Sequence, residues 1–103
     1  MGIALEKGTQ SVVLRMDGII DIVSAQELKE HLVRALEDSR EIQISIDAVT
    51  DLDVTAMQLL WAAGRAARES GVAFALTGPA PKHIASAIGE AGFDMFAVFA
   101  EAR

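Results

Sequence analysis

The chain has 103 residues, of which 51% are hydrophobic, and it contains no cysteine. This length supports one small domain with a single core, and the lack of cysteine excludes a disulfide framework and thiol catalysis. The formal net charge is −6, and the nine lysines and arginines are scattered along the sequence, which argues against nucleic acid as a partner. The longest apolar stretch, residues 59–67, is interrupted by Arg65, so direct membrane insertion is not expected. The N-terminal residues lack the features of a secretory signal, so we expect a cytoplasmic protein.

The first part of the chain predicts a β-hairpin followed by a helix. Residues 3–6 and 11–16 carry β-branched and aliphatic side chains on either side of the turn-like segment Lys7-Gly8-Thr9-Gln10. The dipeptide Asp17-Gly18 predicts a further turn before another short strand. The sequence Ser24-Ala25-Gln26-Glu27 has the form of a capping box, so we expect the first helix to begin at Ser24.

An amphipathic helix and a strongly alternating strand come next. Leu28, Leu32 and Leu36 recur at spacings of four, which places them on one apolar face of the helix. Ala25 and Val33 are expected beside that face. Residues 41–47 then alternate between apolar and polar with a period of two. This pattern puts three isoleucines on one face of a sheet.

The second half of the chain alternates helices and strands. Gly71 stands where a glycine commonly ends a helix, and the residues after it are apolar enough for a strand buried on both faces. The alternation implies right-handed crossovers and a parallel central sheet with an antiparallel hairpin at one side. We therefore expect an α/β fold in a single domain over 1–103, with about three helices. The later predicted elements are a helix over 54–70, a strand over 72–77, a helix over 82–91, and a short strand or irregular cap over 93–99.

Three segments of the chain follow one another in the order of the motifs of a known family. Residues 18–25 are similar to a G-x-x-D turn that leads into a first helix. Residues 46–60 are similar to the pattern D-L-S-x-V-x-x-I-D-S/T-S/A-G-L-x-x-L, and residues 76–93 to a loop, a third helix and a glycine-hydrophobic end. Together these segments resemble the STAS domain of anti-sigma factor antagonists, over roughly residues 10–99.

The resemblance implies a regulator that binds a protein partner, catalyses no reaction and uses no cofactor. In sporulation and stress-response members of the family, an anti-sigma factor kinase phosphorylates a Ser or Thr two positions after the motif aspartate. Asp53 and Thr55 match this pair. The unmodified form binds the anti-sigma factor and frees the sigma factor, and phosphorylation releases it. The implied partner is an anti-sigma factor and serine-threonine kinase of the GHKL type.

Val54 and Ala56, on either side of Thr55, depart from the family pattern. The family usually has a small hydroxyl residue after the aspartate and a glycine after the acceptor. Alanine narrows backbone freedom at this point and raises helix propensity. Relatives linked to chemotaxis operons or lipid-transport complexes carry Asp-Thr-Ala or Asp-Thr-Gly. The alternative function is therefore a non-phosphorylated STAS adaptor subunit in a chemotaxis-linked or lipid-transport complex.

The second predicted helix divides into two stripes. One contains residues at spacings of three and four that begin at the acceptor, namely Thr55, Gln58, Ala62, Arg65 and Glu69. The opposite stripe is most simply core, and Trp61 fits either the core or the border of an interface. A plain helix N-cap is the structural alternative for Thr55. The predicted partner-binding residues are Asp21, Asp53, Thr55, Gln58, Ala62 and Arg65.

A cluster of carboxylates supports a third hypothesis, a metal or acid-base site. Carboxylates at strand ends are where hard cations bind in α/β folds. The chain lacks a glycine-rich phosphate loop with its lysine, and the two histidines, His31 and His83, fall on polar faces of separate helices. We therefore predict neither a metal site nor an enzyme. The carboxylates concerned are Asp21, Asp47, Asp51 and Asp53.

Overall fold

The computed structural model describes residues 2–8, 11–38, 41–78 and 80–93. The segment predicted as a final strand or cap lies outside the described residues, apart from Phe93. None of the described helices is both long and apolar enough to cross a membrane. The elements are β1 (Gly2–Lys7), β2 (Ser11–Ile20), α1 (Ile22–Asp38), β3 (Glu41–Leu52), α2 (Val54–Glu69), β4 (Ala73–Leu76) and α3 (Lys82–Glu90).

The four strands form one mixed sheet in the order β1-β2-β3-β4. β1 pairs antiparallel with β2, whereas β3 pairs parallel with both β2 and β4. The predicted α/β architecture, a hairpin beside parallel strands, is therefore confirmed. Both parallel connections cross in the same direction along the sheet, so right-handed crossovers place α1 and α2 on the same face, where they pack against each other.

The core is built on the alternation of β2 and β3. Ile42, Ile44 and Ile46 are at most 1% exposed, as the period of two predicts. They belong to one cluster with Leu28 of α1 and Leu60 of α2. The sheet and the two helices therefore share a single apolar core.

β4 is less buried than its composition predicts. Phe74 is 1% exposed, but Ala73, Ala75 and Leu76 are only half-buried. The expectation of burial on both faces is wrong, because β4 pairs only with β3 among the described strands and lies at the edge of the sheet.

β2 continues through the segment in which a turn was predicted. Its register against β3 shifts between Arg15 and Asp17 and again between Gly18 and Ile19, which marks β-bulges. Gly18 has a φ of 73°, a left-handed conformation that glycine adopts without a steric penalty. The Asp17-Gly18 dipeptide therefore bends one continuous strand, and the predicted turn is wrong.

Helix α1 begins two residues before the predicted start. Asp21 Oδ1 accepts hydrogen bonds from the backbone N–H of Val23 at 3.0 Å and of Ser24 at 3.3 Å. Because Asp21 already caps the helix, the prediction that Ser24 is the cap is wrong. Ser24 instead lies in the first turn and is 9% exposed. Val33 was predicted beside the apolar face and is 46% exposed.

Helix α2 begins at a second capping aspartate. Asp53 Oδ1 accepts a hydrogen bond from the backbone N–H of Thr55 at 2.7 Å. Asp53 is therefore the N-cap, and the interpretation of Thr55 as a cap is wrong, because Thr55 is the second residue of the helix. The helix ends at Glu69, followed by Gly71 with a φ of 75°, which agrees with the predicted stop.

The core position Ile44 gives a first test of this fold. Replacing this fully buried side chain with alanine, Ile44→Ala, should lower the free energy of unfolding by about 2–5 kcal/mol, because it removes contacts and leaves a cavity. Ile22→Ala is the matched control, since Ile22 is 70% exposed, and it should change stability by less than about 0.5 kcal/mol. Urea denaturation measures both. Equal losses would contradict the assigned core.

The cap of α2 gives a second test. Asp53→Ala should destabilise the domain by about 1 kcal/mol, because the N–H of Thr55 loses its acceptor. Thr55→Ala should change stability by less than about 0.5 kcal/mol, because its side chain does not cap the helix. Thermal and urea unfolding distinguish the two variants. The reverse order of stabilities would show that Thr55 is the cap after all.

Candidate functional site

The carboxyl ends of β2 and β3 lie side by side at one edge of the sheet. Ile20 pairs in register with Leu52, and the backbone N–H of Asp53 donates a hydrogen bond to the carbonyl oxygen of Ile20 at 2.8 Å. Helices α1 and α2 therefore start next to each other, after Asp21 and Asp53. In open α/β sheets, ligands bind at this edge.

Asp21 and Asp53 hold equivalent positions at this edge. Each is half-buried, and each carboxylate accepts backbone N–H bonds from the first turn of its helix. The structure thus brings together two of the aspartates that were predicted to bind a partner. Both have a structural role as caps, and their contact with a partner stays a prediction.

Thr55 lies directly inside the start of α2. Its side chain is half-buried, and its hydroxyl forms no hydrogen bond with the residues that the structure describes. The partial positive charge of a helix N-terminus favours an anion here, whereas the carboxylate of Asp53 opposes one. The hydroxyl is therefore available for modification or for contact with a partner.

The predicted stripe on α2 continues outward from Thr55. Gln58, Ala62 and Arg65 are all exposed. The opposite face is buried, as the helical period predicts, and it consists of Ala56, Met57, Leu60, Ala63, Gly64 and Ala67. Burial therefore agrees with the predicted division of α2, and partner binding by the exposed stripe stays a prediction.

Trp61 lies at the border between these two faces. It is half-buried and packs against the core cluster. The guanidinium carbon of Arg65 lies over its ring, 5.5 Å from the ring centroid, within range of a cation–π interaction. Arg65 Nε also lies 3.6 Å from Glu69 Oε2. The ring therefore joins the core to the exposed stripe, and its place at the border of an interface stays a prediction.

An apolar groove of about 190 Å³ runs between α1 and α2 beside the stripe. Ala62 of the stripe contributes to its wall, together with Leu32 and Val33 of α1 and Leu59 of α2. Lys29 stands at the same groove. The stripe is thus bordered by an apolar depression on the α1 side.

Sequence reasoning missed a group of exposed aliphatic side chains at the edge where α1 and α2 start. They are Ile19, Ile22, Val23 and Val54, which are 51%, 70%, 83% and 49% exposed. Helical periodicity could have revealed Ile22 and Val23 as exposed. At 100° per residue, both point away from the buried face of α1 that contains Leu28. A helix start predicted at Ser24 left both residues in a loop, where periodicity says nothing.

The described residues do not support the alternative metal site. Asp47 and Asp51 are exposed, and no group of three or more His, Cys, Asp or Glu side chains in the described segments could hold a metal ion. His31 and His83 lie on different helices. His83 Nε2 is 2.9 Å from the carbonyl oxygen of Thr50, which links α3 to the end of β3.

Several solved structures share this fold. A variant of RsbS from Moorella thermoacetica is 24% identical, with a TM-score of 0.75 over 90% of this chain and 80% of that one. The Bacillus cell fate determinant SpoIIAA in its phosphorylated form is 18% identical, with a TM-score of 0.72 over 88% of this chain and 84% of that one. A sulfate transporter family protein from Wolinella succinogenes is 22% identical, with a TM-score of 0.64 over 79% and 66%. At these identities the likeness is one of fold.

Sequence comparison gives the family directly. No curated protein sequence matches the chain. The sequence profile described as "Mlab, STAS domain" matches residues 3–98, which include all the described strands and helices apart from the first residue of β1. The chain therefore belongs to the STAS domain family.

Proposed function

We propose that this chain is a regulatory domain that binds a protein partner through the exposed stripe of α2, and that phosphorylation of Thr55 controls the binding. The proposed partner is an anti-sigma factor that is also a serine-threonine kinase of the GHKL type. The chain itself catalyses no reaction. The observation that carries the proposal is the position of Thr55 at the start of α2, beside two strand ends, with a hydroxyl that makes no hydrogen bond within the described residues.

Electrostatics favour a switch at this position. A phosphate on Thr55 would add about −1.5 to −2 charges at pH 7. The helix N-terminus attracts that charge, while the nearby carboxylates of Asp53 and Asp51 repel it. The core face of α2 is on the other side of the helix. Phosphorylation would therefore change the charge of the docking stripe without disturbing the core.

The second candidate is a STAS adaptor subunit that needs no phosphorylation, in a chemotaxis-linked or lipid-transport complex. Two residues next to Thr55 favour it. Val54 is 49% exposed and offers a permanent apolar contact, and Ala56 is fully buried where the family usually has a glycine. The likeness of fold to a sulfate transporter family protein is compatible with this alternative.

Capture of the native partner on the immobilised chain, followed by phosphorylation, separates the two functions. A GHKL-type kinase, incubated with the chain and ATP, should add phosphate to Thr55, located by mass spectrometry. Thr55→Ala should abolish the modification. Thr50→Ala, which removes an exposed threonine at the same edge, should leave it intact. Capture of a transporter or receptor subunit, with no phosphate on Thr55, would favour the adaptor.

Charge changes on α2 test the docking stripe. Arg65→Glu should weaken partner binding at least tenfold, a loss of about 1.4 kcal/mol, because it reverses a charge within the stripe and removes the cation over Trp61. Arg34→Glu makes the same charge change on the exposed surface of α1 and should leave affinity unchanged. Titration calorimetry measures affinity, and the fluorescence of the sole tryptophan reports contact. Equal effects of the two variants would contradict the stripe.

A further inference from the structure

The most exposed large hydrophobic side chains of the described residues are concentrated at one place. Five large hydrophobic residues in the described segments are exposed, and one of them, Val33, lies in the later part of α1, away from the other four. The other four, Ile19, Ile22, Val23 and Val54, lie at the edge where α1 and α2 start, and we call them the edge patch. Scattered exposed aliphatic residues are ordinary, whereas a contiguous group marks an interaction site.

Backbone pairing brings the residues of the edge patch to the same edge of the sheet. Ile19 pairs in register with Asp51, one residue before the pair that closes the sheet. Ile22 and Val23 are the first two residues of α1, and Val54 is the first residue of α2. The hydrogen bond from the N–H of Asp53 to the carbonyl oxygen of Ile20 ties the two helix starts together. The patch therefore crosses both helix starts and adjoins Thr55.

These side chains are not needed to fill the core. Their neighbours along the chain, Ile20 and Leu52, are 0% and 3% exposed and already close the apolar interior at this end of the sheet. The edge patch points away from that interior. Among the described residues, nothing covers its apolar surface.

The charges around the edge patch restrict what can cover it. Asp21 and Asp53 directly precede patch residues in the sequence, and Asp51 pairs in register with Ile19. None of these three aspartates forms an ion pair with the described part of the chain. A second copy of this chain would bring the same carboxylates face to face while removing water, which is strongly unfavourable. A partner that presents arginine or lysine among apolar side chains would satisfy both features.

We propose that the edge patch is a contact for a heterologous protein whose surface carries apolar side chains around an arginine or lysine. This inference rests on the proposed function and extends its docking surface from α2 to the start of α1 and the end of β2. Val54 belongs to this apolar contact and directly precedes Thr55. A phosphate on Thr55 would therefore lie at the margin of the contact and would have to be desolvated when the partner binds.

A phage library of random peptides, selected on the immobilised chain, is the probe for this surface. Recovered peptides should place arginine or lysine next to aliphatic or aromatic residues. The affinity of these peptides for the Val23→Ser variant should fall at least tenfold, and their affinity for the Asp51→Asn variant should also fall. Ala4→Ser is the control, because this exposed aliphatic residue lies on β1, outside both the edge patch and the groove between α1 and α2, and it should bind as the parent chain does. Circular dichroism verifies that each variant is folded.

Three results would overturn the proposal. The first is recovery of peptides without a cation, and the second is equal affinity for the parent chain and Val23→Ser. The third is self-association of the parent chain in sedimentation velocity that Val23→Ser abolishes, which would make a second copy the occupant. Partner capture separates this proposal from the proposed function. If Arg65→Glu loses partner binding and Val23→Ser does not, the edge patch is contradicted and the α2 stripe stands. If Val23→Ser loses partner binding and Arg65→Glu does not, the α2 stripe is contradicted and the edge patch stands.

Discussion

The parallel pairing of β2 with β3 determines where α1 and α2 begin. It aligns Ile20 with Leu52, and one backbone hydrogen bond of 2.8 Å from Asp53 to Ile20 locks the two chain segments together where the strands end. Because a strand alternates its faces with a period of two, a slip of one residue would turn the isoleucines of β3 out of the core. The burial of those isoleucines therefore also fixes where α1 and α2 begin.

This arrangement divides the chemistry of the edge between two sets of residues. The carboxylates of Asp21 and Asp53 accept backbone N–H groups and hold the helix starts. The hydroxyl of Thr55 and the aliphatic side chains beside it have no such structural duty within the described residues. They are therefore the part of the edge that can serve recognition, while the capping aspartates keep the scaffold in place.

Local sequence signals were sufficient where one periodicity dominated. The alternation of Ile42, Ile44 and Ile46 predicted their burial, and the helical period predicted the two faces of α2. Two local signals were ambiguous. Asp17-Gly18 suits a turn or a bulge, and only the pairing of β2 with β3 decides for the bulge. Ser24 and Asp21 both precede helical sequence, and the end of β2 at Ile20 decides which of them caps.

These ambiguities explain what the sequence revealed of the candidate site. The stripe from Thr55 to Arg65 depends only on helical spacing, so it could be predicted. The edge patch depends on where α1 begins and on the contact between two strand ends that are far apart in the sequence. A start at Ser24 treats Ile22 and Val23 as loop residues and conceals the patch. Its recognition needed the three-dimensional structure.

Hydrogen–deuterium exchange of the chain, alone and bound to its captured partner, would locate the surface that the partner covers. Amides in the first turn of a helix lack intrahelical acceptors, so those at the starts of α1 and α2 report coverage with high sensitivity. We expect the partner to slow exchange over residues 19–23 and 53–58, while β1 and α3 keep their rates. Slowed exchange in β1 or α3, with no change at the two helix starts, would contradict it.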